Sequence, residues 1–393
     1  MTGADGPRLA TPAEFPEMMA LLDRYFAYEN GGMRARLPFV YDPERSDRHA
    51  VVVEDGRIVS HIAAIPQTLS TGTEGETVEC WGIGGVATDR RYRGNGHMSR
   101  LLEFWLDRMT ERNVALSDLG GNRQRYAHFG YENAGIEYRY SLTERSFDGE
   151  PIASDAATVA VDTGGSDEHL EALHRIHEAE LYRVVRDPAG SRTVFGQRGL
   201  ETIVYDDGDE PAYVCLTRES RSPTVEEFGG SEAGLEALLS HLLAVLDLNE
   251  LTARVPPRHP LEPVFARHSS FWTARPHRKV RICDLPTLLE AFAGQLEARW
   301  LESGRTEHGS IELGIEDESD ERDERAESVR IAYGPDSVTV EPGTERPDVE
   351  LERTAMTSLL FGMPDRTADL RTGDPFLETA LPLRFFVWAS EHV

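Results

Sequence analysis

Lysine is almost missing: the 393 residues hold one, Lys279, among 41 basic residues. Cysteine is scarce as well, with Cys80, Cys215 and Cys283 far apart and no C-x-x-C pair. That usage excludes a disulfide framework and a thiolate zinc site, so buried free thiols and no metal are expected. No apolar run approaches the ~18 residues a membrane helix needs. The opening "MTGADGPRLATPAEFPEMM" lacks the basic and apolar regions of a signal peptide. A cytoplasmic protein with no membrane partner is the expectation. Positive charge is short overall, 69 acidic residues giving a formal charge of −28. Nucleic acid is disfavoured as a partner, because phosphate binding needs a basic face. Loss of lysine with retention of arginine on an acidic chain suggests a surface adapted to molar salt, a halophilic protein.

What is present is enough apolar residue for more than one core, 39% of the chain, in a length that suggests two or three domains. Residues 11 to 28 open on Thr11, Pro12 and Glu14, a capping signature, and carry Met18, Leu21, Leu22 and Tyr25 at helical spacing. "VVVEDGRIVSHIAAI" reads as two strands around an Asp55-Gly56 turn, and "ETVECWGIGGVAT" as a third strand ending at Thr88. Met98, Leu101, Leu102, Trp105 and Met109 then mark one helical face. "VALS" is a short strand, and a second helix contains "RQRYAHFGYE". The turn-rich segment "SFDGEPIASDAATVAVDTGGSDEH" is a credible boundary. Beyond it the order repeats loosely: helix "LEALHRIHEAELYRVV", hairpin "GLETIVYDDGDEPAYVCLTR", helix "SEAGLEALLSHLLAVL", strand "LNELTARV". A third unit starts near Leu285 with helix "LPTLLEAFAGQLEARWLE", then strands at Ile311–Ile315, Val329–Tyr333 and Val338–Val340, and a short helix "RTAMTSLLFG". "ESDERDERAES" reads as a solvated acidic loop. The apolar ending "LPLRFFVWASEHV" is unusual, since termini normally fray, and implies that it is packed down.

Against the general acidity, "RRYRGNGHMSRLLEFWL" from Arg90 to Leu106 sets four arginines and two glycines at the head of a helix. The first amides of a helix are unpaired and its dipole adds roughly half a positive charge, so a strand, such a loop and a helix make an anion site. Gly94 and Gly96 allow close backbone approach, and Arg93 can add a charge-assisted bond. Two nucleotide motifs fail: no Gly-Lys-Ser/Thr ends the loop, and the third glycine of a dinucleotide fingerprint is replaced by Ser99.

The run "GGVATDRRYRGNGHMSRLL", followed downstream by "RYAHFGYE", resembles the GNAT family of acetyl-CoA-dependent N-acetyltransferases. The family motif Arg/Gln-x-x-Gly-x-Gly/Ala fits as Arg91-Gly94-Gly96 or as Arg93-Gly96-Met98. The second keeps the family's distance from strand to loop, with methionine where glycine or alanine is usual. The resemblance implies that Val86, Ala87 and Thr88 pair by main chain with the pantetheine arm of acetyl-CoA. It implies a pyrophosphate cradle of Arg93, Gly94, Asn95, Gly96, His97 and Met98, with Gly121 and Asn122 as further cofactor contacts. Tyr126 falls where the family carries its general acid, a phenol of ordinary pKa ~10 that can protonate a leaving thiolate. Tyr131 is its local competitor, and His128 reads as a surface or packing residue.

Three units in this order resemble the Eis-like members of the family: an acetyltransferase unit at 1–145, a degenerate copy at 146–284 and a sterol carrier protein-like α+β unit at 285–393. The fold class so implied is α/β with tandem GNAT folds. In those relatives the C-terminal carboxylate is the general base, which here would be Val393. A carboxylate of pKa ~3.3–3.7 is a poor base unless burial or a water relay assists it; His392 is the alternative. A homo-oligomer, commonly a hexamer, is implied as well. The expected activity is acetyl transfer to a small amine such as an aminoglycoside-like polyamine, or to a lysine side chain, with selectivity carried by loops such as 30–38. Two other readings are a lipid or acyl-chain carrier using the third unit, and a pseudo-enzyme that only scaffolds an oligomer.

Overall fold

In a computed structural model, described for residues 5–26, 31–147, 158–162, 167–206, 211–217, 223–245, 250–316, 327–363, 367–371 and 373–393, local signals in the first third are obeyed closely. Strand β1 (Asp5–Leu9) leads to Thr11, whose amide and hydroxyl both donate to Glu14 Oε2 at 2.8 Å, and then to helix α1 (Phe15–Phe26). A short helix α2 (Gly32–Arg36) follows. Strands β2 (His49–Glu54) and β3 (Arg57–Ser70) are joined by Asp55 and Gly56, both at positive φ, the tight hairpin their types permit. Next come β4 (Thr77–Thr88), α3 (His97–Glu111), β5 (Leu116–Leu119), α4 (Arg123–Tyr126) and β6 (Glu132–Thr143). Leu101, Leu102, Trp105 and Met109 of α3 bury against Ile62, Ala64 and Ile83 on one face of the sheet. Met18, Leu21 and Leu22 of α1 bury against Val51, Ala63 and Ile65 on the other. Each fully buried side chain of this size contributes ~1.5–3 kcal/mol.

The following segment repeats the plan: β7 (Thr158–Asp162), α5 (Asp167–Glu178), α6 (Pro188–Phe195), β8 (Leu200–Asp206), β9 (Ala212–Thr217), β10 (Thr224–Gly230), α7 (Glu232–Val245), β11 (Glu250–Val255), α8 (Glu262–His268) and β12 (Phe271–Ile282). The turn-rich stretch after residue 145 thus contains an outer strand, β7. The helix expected to run to Val185 stops at Glu178. Beyond it the backbone pairs with the end of β3, Val185 N donating to Thr68 O and Ser70 N to Arg183 O.

All twelve strands form one sheet in the order β1-β2-β3-β4-β5-β12-β6-β11-β10-β9-β8-β7. The two repeats exchange their last strands. β12, from the second repeat, lies antiparallel between β5 and β6, while β6, from the first, lies between β12 and β11. Hydrogen bonding therefore runs through the division at 145/146. The sequence alone gives no expectation of a strand at 271–282.

The third unit carries helices α9 (Leu285–Ala291) and α10 (Ala293–Glu302) on a sheet of β13 (Gly309–Glu316), β14 (Ser328–Tyr333), β15 (Val338–Pro342) and β16 (Val349–Glu352), closed by α11 (Arg353–Phe361). The expected acidic loop lies almost wholly outside the described residues. Rings fill the centre of this unit: Trp300, Tyr333 and Phe376 stack with centroids 4.8 to 5.6 Å apart. The core continues into Val78, Leu116, Val280 and Ile282 of the large sheet. From Leu381 the chain leaves this unit and crosses the large sheet to Val393. Phe386 stacks on His277 of β12 at 4.0 Å, and Trp388 meets Phe228 of β10 at 5.1 Å.

Candidate active site

β4 and β5 are parallel and pair from Cys80–Leu116 to Ile83–Leu119, where β5 ends. β4 runs on to Thr88 with its edge on that side unpaired by β5. Its register against β3 shifts between His61–Ala87 and Ala63–Gly84, a bulge at Gly85, whose φ of +57° favours glycine. Val86 and Ala87 follow the bulge, so their peptide groups are presented at the opening. Ser60 Oγ ties Ala87 O (3.1 Å) and Thr88 Oγ1 (2.8 Å) from the β3 side.

The arginine loop lies at the end of β4. Asp89 Oδ1 accepts from Arg91 N, and Asp89 Oδ2 pairs with Arg24 at 3.1 Å. Arg93 Nε donates to Thr88 O at 3.2 Å, and its exposed guanidinium covers the Tyr25 ring at 5.5 Å. Gly94 (φ +87°) and Gly96 (φ +77°) are left-handed, and a Cβ on either would meet open space. Gly96 caps α3 without a side-chain bond to its amides. An open cradle, an uncapped helix start and a nearby guanidinium suit an anion. His97 is turned inward, 3% exposed with Nε2 3.0 Å from Glu54 Oε1, so only its main chain faces the loop. Met98, in the first turn of α3, is half-buried against the hydrophobic cluster beneath that helix. Gly121 is left-handed beyond β5, and Asn122 caps α4, Oδ1 accepting from Gln124 N at 2.9 Å.

Tyr126 ends α4, 5% exposed, with its ring edge-on to Tyr131 at 6.2 Å. Burial raises its phenol above the ordinary value, partly countered by Arg125. Tyr131 is committed elsewhere, its hydroxyl bonded to Ser117 Oγ at 2.7 Å in the core. His128 is exposed beside Phe129.

Val393 reaches the same opening from the α1 face. A Cβ on Gly84 would stand 2.7 Å from the Val393 carboxyl carbon, and one on Gly82 would strike its side chain. Tyr41 Oη and the His61 ring occupy the space above Gly85. Glycine in a strand marks close backbone approach, so the "GIGG" of β4 was the available sequence signal for this floor. Asp118, buried beside Gly82, is ion-paired with Arg278 of the exchanged strand β12. His392 is turned away, Nε2 bonded to Val387 O at 3.1 Å, and burial pushes its pKa well down. Behind the bulge, His61 Nδ1 donates to Gly85 O at 2.8 Å and His49 Nδ1 lies 3.0 Å from His61 Nε2. This histidine pair carried no signal in the sequence.

The family model described as an acetyltransferase (GNAT) domain matches residues 7–134, the span that holds β4, β5, the arginine loop and Tyr126. The first third of the chain thus matches a GNAT acetyltransferase domain. Enzymes of this fold transfer an acyl group to an amine and use acetyl-CoA. The "Uncharacterized N-acetyltransferase YhbS" of Escherichia coli strain K12 is 26% identical over 156 residues, 38% of this chain and 88% of that protein. Similarity of fold extends beyond the acetyltransferase domain. A GCN5-related N-acetyltransferase from Kribbella flavida superposes with TM-score 0.70 at 18% identity, over 97% of each chain. A probable N-acyltransferase from Enterococcus faecalis V583 gives 0.70 at 18%, over 98% of each. Eis1 from Mycobacterium abscessus gives 0.63 at 17%, over 98% of this chain and 99% of that one.

Proposed function

We propose that the chain transfers the acetyl group of acetyl-CoA directly to an amine, either a small polyamine or a lysine side chain, at the opening between β4 and β5. The reading is supported by the glycine cradle at the head of α3, by Val393 lying against Gly84, and by Tyr126 on α4, the helix that follows β5, with its ring beside Gly121. Bound acetyl-CoA supplies an activated acetyl thioester. Gly94, Asn95, Gly96, His97 and Met98 hold its pyrophosphate by main chain, with Arg93 adding charge. Val86, Ala87 and Thr88 hold the pantetheine arm by the unpaired edge of β4.

Tyr126 packs in the cluster under α3, whereas Val393 packs in the one under α1, so donor and acceptor approach the opening from opposite faces. Tyr126 Oη, a phenol protonated at neutral pH, gives its proton to the departing sulfur. The Val393 carboxylate receives the proton of the attacking amine, directly or through water. His392 is less suited, since its Nε2 is bonded and burial keeps the ring neutral and enclosed. The ring-filled third unit acts as a scaffold that buttresses β5 and β12 and launches the tail.

The deciding experiment is acetyl-CoA calorimetry in molar KCl, wild type against Gly94→Glu. Saturable binding lost in the variant supports the cradle and justifies an amine screen. A folded wild type that binds nothing defeats the acetyl-transfer reading.

A further inference from the structure

The second half of the large sheet holds a buried polar cluster that acetyl transfer as described leaves without a task. Glu227, on β10 next to the register shift after Val225, is fully buried. Its Oε1 accepts from Arg186 Nη2 at 3.0 Å, from Tyr213 Oη at 2.8 Å and from His177 Nδ1 at 3.1 Å. Its Oε2 accepts from Ser390 Oγ. Arg186 engages the tail again, Nη1 donating to Glu391 Oε1 at 3.0 Å. Main-chain oxygens of the same two tail residues are held as well: Gln197 Nε2 donates to Ser390 O at 2.7 Å, and Gln67 Nε2 of β3 to Glu391 O at 3.0 Å.

Packing alone would not require this cluster. Trp388 and Phe386 already bury the tail, and hydrophobic contact is non-directional. Buried charges cost several kcal/mol each even when paired, and Glu391 Oε2 is buried with no hydrogen-bond partner, so the cluster is weak as a source of stability and its clear effect is positional. It fixes residues 390 and 391. A chain spans at most ~3.6 Å per residue, so Val393 can lie only about 7 Å from Glu391 and cannot move independently of it. The His392–Val387 bond closes this segment into a hook.

We propose that Arg186 and Glu227, both outside the acetyltransferase domain, are positioning residues for acetyl transfer: they clamp Ser390 and Glu391 and so hold the Val393 carboxyl over Gly84. The inference rests on the reading of Val393 as base. The second repeat, on this view, serves the first as a molecular vice for its terminal residue.

The test uses the full chain carrying Ser390→Ala/Glu391→Ala, which removes the tail's side of the clamp and leaves Arg186 paired with Glu227. Three quantities are read: kcat, the acetyl-CoA Kd, and the rate at which carboxypeptidase releases Val393. The expected result is a Kd within about twofold of wild type, release at least about tenfold faster, and kcat at least about tenfold lower, as a misplaced reacting group gives. Glu391→Gln, which keeps the acceptor for Arg186, restores most of the lost kcat. Unchanged release overturns the clamp. Faster release with unchanged kcat overturns Val393 as base, and the positioning role falls with it. A kcat loss matched by a weaker Kd overturns the inference in favour of general loosening. Should the tail variant fail to fold, Arg186→Met/Glu227→Leu removes the opposite side with apolar replacements and is read by the same outcomes.

Discussion

β4 and β5 part after Ile83, and β10 and β11 part after Val225, at matching places on either side of the exchanged pair β12–β6. The two openings have been put to opposite uses. After β4, the chain takes the loop from Asp89 to Gly96 before α3 begins at His97. After β10, α7 begins at Glu232, directly past Gly230 and Ser231, leaving no loop to surround a phosphate. Its first turn is acidic, with Glu232 paired to Arg267 at 2.8 Å, which opposes an anion as the arginine loop favours one. Where β4 lays down Gly82, Gly84 and Gly85, the matching positions of β10 are Thr224, Glu226 and Glu227. One floor is bare and admits Val393. The other grips Ser390 and stacks on Trp388. On the proposed reading, the same scaffold becomes a reaction site or an anchor according to whether its central strand carries glycine or side chains at and just past the parting.

Substitutions can break or sharpen that contrast. The largest effect is expected for Tyr126→Phe, which should lower kcat by ~10²-fold or more while the acetyl-CoA Kd stays put. Steady-state rates of thiol release with parallel calorimetry check this, and an unchanged kcat removes Tyr126 from the chemistry. Next is Gly84→Ala, whose methyl would stand 2.7 Å from the Val393 carboxyl carbon. Displacing that group should cost kcat roughly tenfold to a hundredfold with cofactor binding retained. A smaller effect is expected on affinity: Gly94→Glu, a charged side chain at a left-handed position, should weaken acetyl-CoA binding at least about tenfold, or ~1.4 kcal/mol. Glu232→Ala in the other opening should leave that Kd unchanged; if it creates a second binding event by calorimetry, the two halves are less different than described.

The smallest effect concerns pH. Burial lowers His49 to about 4 and His61 to about 3. The unfolded chain therefore binds their protons below the ordinary value of ~6.5 while the folded chain does not, and stability falls as pH drops from there towards about 4. Glu227 is held below the ordinary carboxylate range, chiefly by Arg186 against the opposing effect of burial. Its contribution is lost only once pH falls through the acid range. Urea denaturation between about pH 7 and about pH 5 should thus show a decline that is reduced in His49→Phe/His61→Phe, the remainder coming from the buried His277 and His392, and preserved in Glu227→Gln.

Much of this was readable locally. The Thr11–Glu14 cap, the Asp55-Gly56 turn and the α3 stripe depend on neighbours in the chain, and they stand where spacing put them. The arginine loop was legible because its glycines and its helix are contiguous. The strand exchange was not, since nothing within Phe271–Ile282 says which β5 edge it will meet. Nor was the tail clamp, whose bonds join residues such as Arg186 and Glu391 that only the completed sheet brings together. His97 shows the limit within a motif: its letter suits the cradle, but its side chain turns to Glu54 at the end of β2.

The exchange of β6 and β12 has a consequence for synthesis. A chain made from its N-terminus presents β5 long before β12 exists, so the edge of the acetyltransferase sheet waits open and adhesive while the second repeat is translated. Until then the nascent domain resembles a zip with one row of teeth, and a cell that makes this enzyme must keep that row from closing on a neighbour.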